Sequence, residues 1–263
     1  MIMDITGKIG TKTVTVIGNI TYFWQFCIEV MANIFTFAKN IRIASLVLMR
    51  QILFTGFDAL ALVSFGGFII GSVIILQGSA IFPNLANSQL MFTILVSVVT
   101  RELANFIPAL ILIARSGTAM TTELGNMVIN NEVDALVSMN ISPISYLVVP
   151  RTIAMVFSLV PLGIYFNIIS LFAAGIVSQF LLNVNLADFS IKLFSQLTFL
   201  DVFISVIKSV SFAFAIAIIS CYHGLKIDFA RTEVPQRTSK AVVHSISAVI
   251  FLEILITIVS LQY

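Results

Sequence analysis

Five stretches of this chain, residues 52–77, 90–114, 152–177, 200–222 and 241–261, are long runs of apolar residues with few polar interruptions. Each is near or above the roughly 20 residues with which an α-helix crosses a bilayer core. A backbone in lipid has no water to bond, so such runs cross as helices. The third lies inside a longer apolar region, 147–182, which as one straight helix would reach about 54 Å. That exceeds a simple crossing and predicts a tilted or bent helix. Pro150 and Pro161 lack backbone donors, which predicts a boundary near the first and a kink near the second.

The pattern changes between the second and third runs. From Arg115 to Arg151 the chain is polar and acidic, with Leu124, Met127, Val128, Val133, Leu136 and Val137 at helical three- and four-residue steps. Glu123, Asn126, Asn130, Asn131, Glu132 and Asp134 supply the opposite side. This predicts an amphipathic helix over about 121–139, capped by Thr121 or Thr122 and closed by Pro143. Helices resting on a membrane surface favour Lys and Arg on their polar face. The carboxylates here instead suit a partner outside the bilayer with a basic, grooved surface.

Residues 14–37 mix Trp24, Tyr22 and several Phe with Asn19, Gln25, Glu29 and Asn33, a composition that suits the headgroup zone. The expectation is an all-α integral membrane protein with about five transmembrane helices, an N-terminal interfacial helix and a cytoplasmic amphipathic helix. A sixth crossing by 14–37 is the alternative. The segment lacks the basic start and cleavage site of a secretory signal and the Arg- and Ser-rich character of a transit peptide, so the mature protein is expected to keep it.

Composition agrees: 59% of residues are hydrophobic, 10% are charged and the mean hydropathy is +1.08. Soluble domains carry about a quarter charged residues, so lipid is the main solvent here. A net charge of +2 with dispersed basic residues leaves no footprint for nucleic acid. With five crossings, Lys8, Lys12, Lys39, Arg42, Arg50, Arg115, Arg151, Lys226, Arg231, Arg237 and Lys240 share one side, which is then cytoplasmic or its organellar equivalent. Lys192 and Lys208 fall at or near the other.

Charges inside the runs are few. Arg101 and Glu102 lie in the second, Lys208 in the fourth and Glu253 in the fifth, where an ionised side chain costs on the order of 3 kcal/mol. Helix neighbours do not face each other, so partners must come from other helices or water. Counting helical rise puts Glu253 and Lys208 within roughly 5 Å of the depth of Arg101. The expected pairs are Arg101 with Glu253, and Lys208 with Glu102 or Glu253. They either lock the bundle or line a polar part of a substrate path. Gly66, Gly67 and Gly71, the last two forming GxxxG, permit a close helix contact such as a dimer face.

Other chemistry finds little support. Cys221 and His223 are neighbours, but two Cys and two His in all make a zinc site unsupported. Cys27 and Cys221 give no disulfide framework. Gly7 to Thr13 has the letters of a phosphate loop without its GxxxxGK[ST] spacing. No Ser, His and Asp arrangement suggests nucleophilic catalysis. No cofactor and no metal are expected.

A spaced signature remains: Arg101-Glu102-Leu103, Arg115-Ser116-Gly117-Thr118-Ala119, Thr121, Glu123-Leu124-Gly125, Met127, Glu132, Ala135-Leu136, Met139, Pro143 and Pro150-Arg151. With Gln77-Gly78, Lys208-Ser209, Phe212, Cys221, Gly224, Val243 and Ser245, it resembles the MlaE permease family over roughly residues 45–260. These are membrane subunits of ABC transporters that move phospholipids. Ala104-Asn105 stands where the family has Gly-Pro, Val133 where Gln is frequent, and Glu253 where Asp is usual.

An N-terminal interfacial region is expected over 1–44, and after it the resemblance implies a permease domain, 45–263. It also implies a homodimer, a separate cytoplasmic or stromal ATPase and an MCE-domain lipid-binding protein on the opposite side. Glu123, Gly125, Met127, Glu132, Leu136 and Met139 are the implied ATPase-coupling residues. Arg101, Glu102, Lys208 and Glu253 are the candidate lipid path. The chain itself is a permease and not an enzyme. Its Ile- and Phe-rich composition and overall likeness suggest a plastid (chloroplast) or cyanobacterial-type member, in a plastid membrane or a bacterial inner membrane. An ion-coupled secondary transporter using the intramembrane charges is the competing reading. Such proteins show internal repeats, and no convincing repeat is found here.

Overall fold

A computed structural model describes residues 18, 21–34, 41–81, 89–182, 185–227, 230 and 232–260, with no strand among them. The Gly7–Thr13 segment, Lys39, Arg231, residue 261 and much of both ends of the 14–37 stretch lie outside these described residues. Helix α1 covers 21–34. Helix α2 runs Ile41–Gly56, tightens to a 3-10 turn at Phe57–Ala59 and continues as Leu60–Ile81. Helix α3 comprises Gln89–Val96, a π-helical turn Ser97–Leu103, Ala104–Leu112, a second π-helical turn Ile113–Gly117, and Thr118–Ile129.

The remaining elements are α4 (Glu132–Ser138), α5 (a π-helical turn Ile144–Val148 leading into Val149–Leu182), α6 (Leu186–Gln196), α7 (Phe199–Leu225) and α8 (Glu233–Ser260). Helices α2, α3, α5, α7 and α8 are long and apolar enough to cross a membrane. The chain is an all-α, multi-pass membrane protein.

Two expected boundaries are corrected. Thr121 and Thr122 do not start a helix, because α3 continues from the apolar run to Ile129. Their hydroxyls donate back to the carbonyls of Gly117 and Thr118, so these polar side chains are satisfied inside a continuous helix. The break comes instead at Asn131, which takes a left-handed backbone (φ 59°) between α3 and α4. Asn tolerates that conformation better than most residues. Asn140 (φ 59°) turns the chain again after α4, and Pro143 then opens α5 instead of closing α4.

The boundary expected near Pro150 falls beside it, where the π-helical turn gives way to the α-helix that starts at Val149. The wider turn at Ile144–Val148 stands just before Pro150, where a missing donor and a bulky ring are most easily accommodated. The helix also continues through Pro161. In α3, Pro108 lies between the two π-helical turns.

The bundle is built from two parallel pairs. Gly56 meets Ser158, Ser64 bonds Tyr165 at 2.8 Å and Gly71 meets Ser170, so α2 and α5 run together. Asn105 meets Ser205 and Ser209, Gly117 meets Ser220 and Gly224 meets Leu124, so α3 and α7 do the same. Helix α8 returns antiparallel along α3, with Thr122 near Thr238 and Glu102 near Thr257. Phe166, Phe212, Leu112, Met155 and Leu159 fill the shared core.

The glycine pair Gly67 and Gly71 is spent inside the chain and not on a dimer face. A Cβ at Gly71 would overlap the Ser170 carbonyl, and one at Gly67 would lie 3.3 Å from the Phe166 carbonyl oxygen. Gly66 has more room, its nearest neighbours Ile107 and Phe166 lying 3.8 Å from an added Cβ. Gly71→Leu should therefore force α2 from α5 and destabilise the fold by about 1–3 kcal/mol or more, whereas Gly66→Ala should be nearly neutral. Thermal unfolding in detergent checks this, and equal midpoints for the two variants would contradict the packing described.

Candidate functional site

Lys208 is fully buried in the core, alone among the described lysines and arginines. It sits on α7, and its ammonium approaches four oxygens from two other helices. Lys208 Nζ donates to Glu102 Oε2 at 2.8 Å and to the Arg101 carbonyl at 3.0 Å on α3. From α8 it meets Glu253 Oε1 at 3.0 Å and Thr257 Oγ1 at 2.9 Å. Thr257 in turn donates to Glu102 Oε2 at 3.1 Å. An ammonium has three protons, so the shell is complete without water. Two carboxylates converge on one cation, and Glu253 Oε2 is buried without a hydrogen-bond partner.

The expected pair between Lys208 and either glutamate is present, and both glutamates share it. The expected Arg101–Glu253 pair is absent. Arg101 points from the neighbouring helix position toward the start of α7, where its Nε donates to Asp201 Oδ1 at 2.6 Å. Asp201 is buried while Arg101 stays part-exposed. Adjacent positions on one helix address different neighbours, so Glu102 faces Lys208 and α8 while Arg101 faces Asp201.

Asp201 is the partner that the sequence reading missed. It has a signal: Thr198-x-x-Asp201 before an apolar run is a capping box. Both reciprocal bonds form, with Asp201 Oδ2 accepting from the Thr198 amide at 3.0 Å. One aspartate thus caps α7 and neutralises an arginine. A second polar layer lies one turn deeper, where the hydroxyls of Ser205 and Ser209 donate to Asn105 Oδ1 at 2.9 and 2.8 Å. Asn105 is fully buried and its Nδ2 is unpaired.

At the other end, the implied coupling residues divide into three groups. Gly125 is buried, and a Cβ there would collide with Ile227; its use is to let the chain after α7 pass over α3. Met127 and Leu136 are part-buried against a cluster of Phe26, Val30, Leu124, Leu147 and Tyr222. Glu123, Glu132 and Met139 are exposed, and Glu123 accepts from Arg151 at 3.1 Å. Val137, Met139 and Ile141 form an apolar display on and after α4, beside Glu132 and Asp134 in its first turn. His223 does not meet a cysteine. Its Nε2 lies 2.8 Å from His244 Nδ1 across α7 and α8.

The fold and site define a polytopic helical membrane protein whose spans are tied by buried charge and whose second span extends into an exposed helical segment. The family model described as Permease MlaE matches residues 48–259, and the chain belongs to that family. A probable ABC transporter permease protein of Rickettsia typhi is 31% identical over 257 residues, covering 98% of each chain. The intermembrane phospholipid transport system permease protein MlaE of Haemophilus influenzae is 27% identical over 80% of this chain and 81% of its own. A probable ABC transporter permease protein of Pyropia yezoensis is 30% identical over 78% of each. The protein is a multi-pass permease of a bacterial inner membrane or a plastid membrane.

Removing Lys208 strands two carboxylates. Lys208→Met should cost about 3–5 kcal/mol, toward the low end because Glu102 is a third exposed. Adding Glu102→Gln and Glu253→Gln should recover most of the loss. The check is thermal unfolding of single and triple variants, and a triple variant no better than the single would contradict an electrostatic origin.

Proposed function

We propose that this chain is the membrane subunit of an ABC transporter that moves phospholipids, working as a homodimer and driven by ATP hydrolysed on a separate subunit. The observation that carries the reading is the Lys208 cluster opening onto a cavity of about 270 Å³ between α3 and α8. Glu102 and Glu253 supply its polar wall, and Leu103, Phe106, Ile250 and Ile254 its apolar wall. Such a wall suits the junction between a lipid's headgroup and its chains, the chains themselves needing the wider space that a second copy would enclose.

Helix α8 supports the dimer. Its most apolar window is 11% buried, against 50% for α7, and Phe251, Ile254 and Ile258 face outward. A second copy against this face would enclose the cavity between α3 and α8. The ATPase would dock on Val137, Met139 and Ile141 with Glu132 and Asp134, and an MCE-domain protein would receive or deliver lipid at the opposite side. Arg101, Glu102 and the coupling residue Glu123 ride on one helix. Closure at its cytoplasmic end would therefore be carried about 30 Å along the helix toward the cluster.

Purification from native membranes in mild detergent should bring down an ATPase, an MCE-domain protein and bound lipid. Reconstituted with that ATPase, the complex should move phospholipid only with ATP. Movement driven by an ion gradient without the ATPase would instead establish the secondary-transporter reading. Val137→Asp with Met139→Asp should reduce ATPase co-purification about tenfold or more, as loss of an apolar hot spot does. Glu132→Lys with Leu136→Ala should act alike, with membrane insertion intact in both. Normal assembly of these variants would remove α4 from the interface.

A further inference from the structure

A second polar cavity lies at the cytoplasmic end, between α1, the α4–α5 connection and the end of α7. It measures about 270 Å³, and its lining includes Tyr22, Phe26, Glu29, Ser142, Tyr222 and Lys226. Lys226 Nζ donates to Tyr222 Oη at 3.0 Å and lies 5.2 and 5.9 Å from the ring centres of Tyr222 and Tyr22. The rings are themselves packed, with Tyr22 and Phe26 at 6.1 and 5.8 Å from Tyr222. A cation, a carboxylate, phenol hydroxyls and aromatic faces thus share one small space.

The chemistry of that lining is dipolar. Lys226, the Tyr222 hydroxyl and Ser142 offer donors to phosphate oxygens, where charge-assisted bonds are strongest. Glu29, exposed on α1 at the cavity wall, offers a counter-charge to an ammonium. The volume is that of roughly nine waters, enough for a small headgroup and not for acyl chains. The site also stands at the right level. Lys226 directly follows the last residue of α7, and the exposed Tyr22 lies beside it, as in the aromatic belt where headgroups lie.

We infer that this cavity binds the headgroup of a zwitterionic phospholipid from the cytoplasmic leaflet, its phosphate on Lys226 and Tyr222 and its amine on Glu29. Ser142, Pro143 and Ile144 form part of the wall, so an occupied site braces the connection between α4 and α5 against α1. The site is separate from the Lys208 cluster and does not depend on which cargo the protein moves.

The test uses the purified full chain in detergent, with bound lipid read by native mass spectrometry. Dihexanoyl phosphatidylethanolamine should bind about tenfold tighter than dihexanoyl phosphatidylglycerol, which lacks the amine. Glu29→Gln should abolish that preference, and Lys226→Gln should weaken both lipids about tenfold. Equal affinities in the unaltered protein, a measurement that needs no variant, would overturn the proposal, as would an unchanged preference in Glu29→Gln. Displacement by free phosphoethanolamine at the same concentration would overturn the lipid assignment in favour of a soluble phosphate ester. Both variants lie away from Lys208, so failure here leaves the transport reading untouched.

Discussion

A buried ammonium in a membrane protein must find its whole coordination shell in the chain, and Lys208 imposes that demand on three helices at once. Its oxygens come from α3 and α8, so neither helix can slide or rotate without exposing charge to lipid. Apolar packing cannot enforce this, because lipid tails are as apolar as the side chains they would replace. The cluster therefore sets the register of α3, α7 and α8, and apolar contacts fill in around it. Helix α8, open on its outer side, is tied to the other two through Glu253 and Thr257 as well as through its buried Val234, Ala241 and Val249.

Close backbone approach does for α2 and α5 what charge does for the other three. Gly67 and Gly71 bring α2 onto the carbonyls of Phe166 and Ser170, a contact that side-chain volume would forbid. At the cytoplasmic end Gly117, Gly125 and Gly224 repeat the device between α3, α7 and the segment after α7. The bundle thus has a dense seam in each parallel pair. Its polar layers, Asn105 with Ser205 and Ser209 and Thr100 with Asn167, cross between helices.

The five crossing helices were legible in the sequence because hydropathy is a local property that lipid reads directly. The Lys208 pairings were legible for a related reason: so few charges lie in the apolar runs that their partners are nearly forced. What escaped was set by geometry that composition does not encode. Residues 115–122 look polar enough to be a boundary, yet Thr118, Thr121 and Thr122 turn their hydroxyls onto their own helix. The GxxxG spacing announces a close contact without naming the helix that makes it. Arg101 was given Glu253 by depth alone, when its direction, and the capping signature that prepares Asp201, point elsewhere.

The continuity of α3 changes how the two ends relate. A separate amphipathic helix joined by a flexible turn would absorb motion imposed on it. Here the turn comes after Ile129, at Asn131, so Glu123 and Gly125 belong to the same continuous helix as Glu102, with Pro108 and a π-helical turn between them. Helix α4 is set off on both sides by left-handed asparagines, Asn131 and Asn140. Helix α4 packs, through Val133 and Leu136, on the cluster of Leu124, Leu147 and Tyr222, and Tyr222 also lines the cytoplasmic cavity. Partner, lipid and ion cluster would then act on one helix, and Lys208 is where a displacement of that helix would be felt as charge.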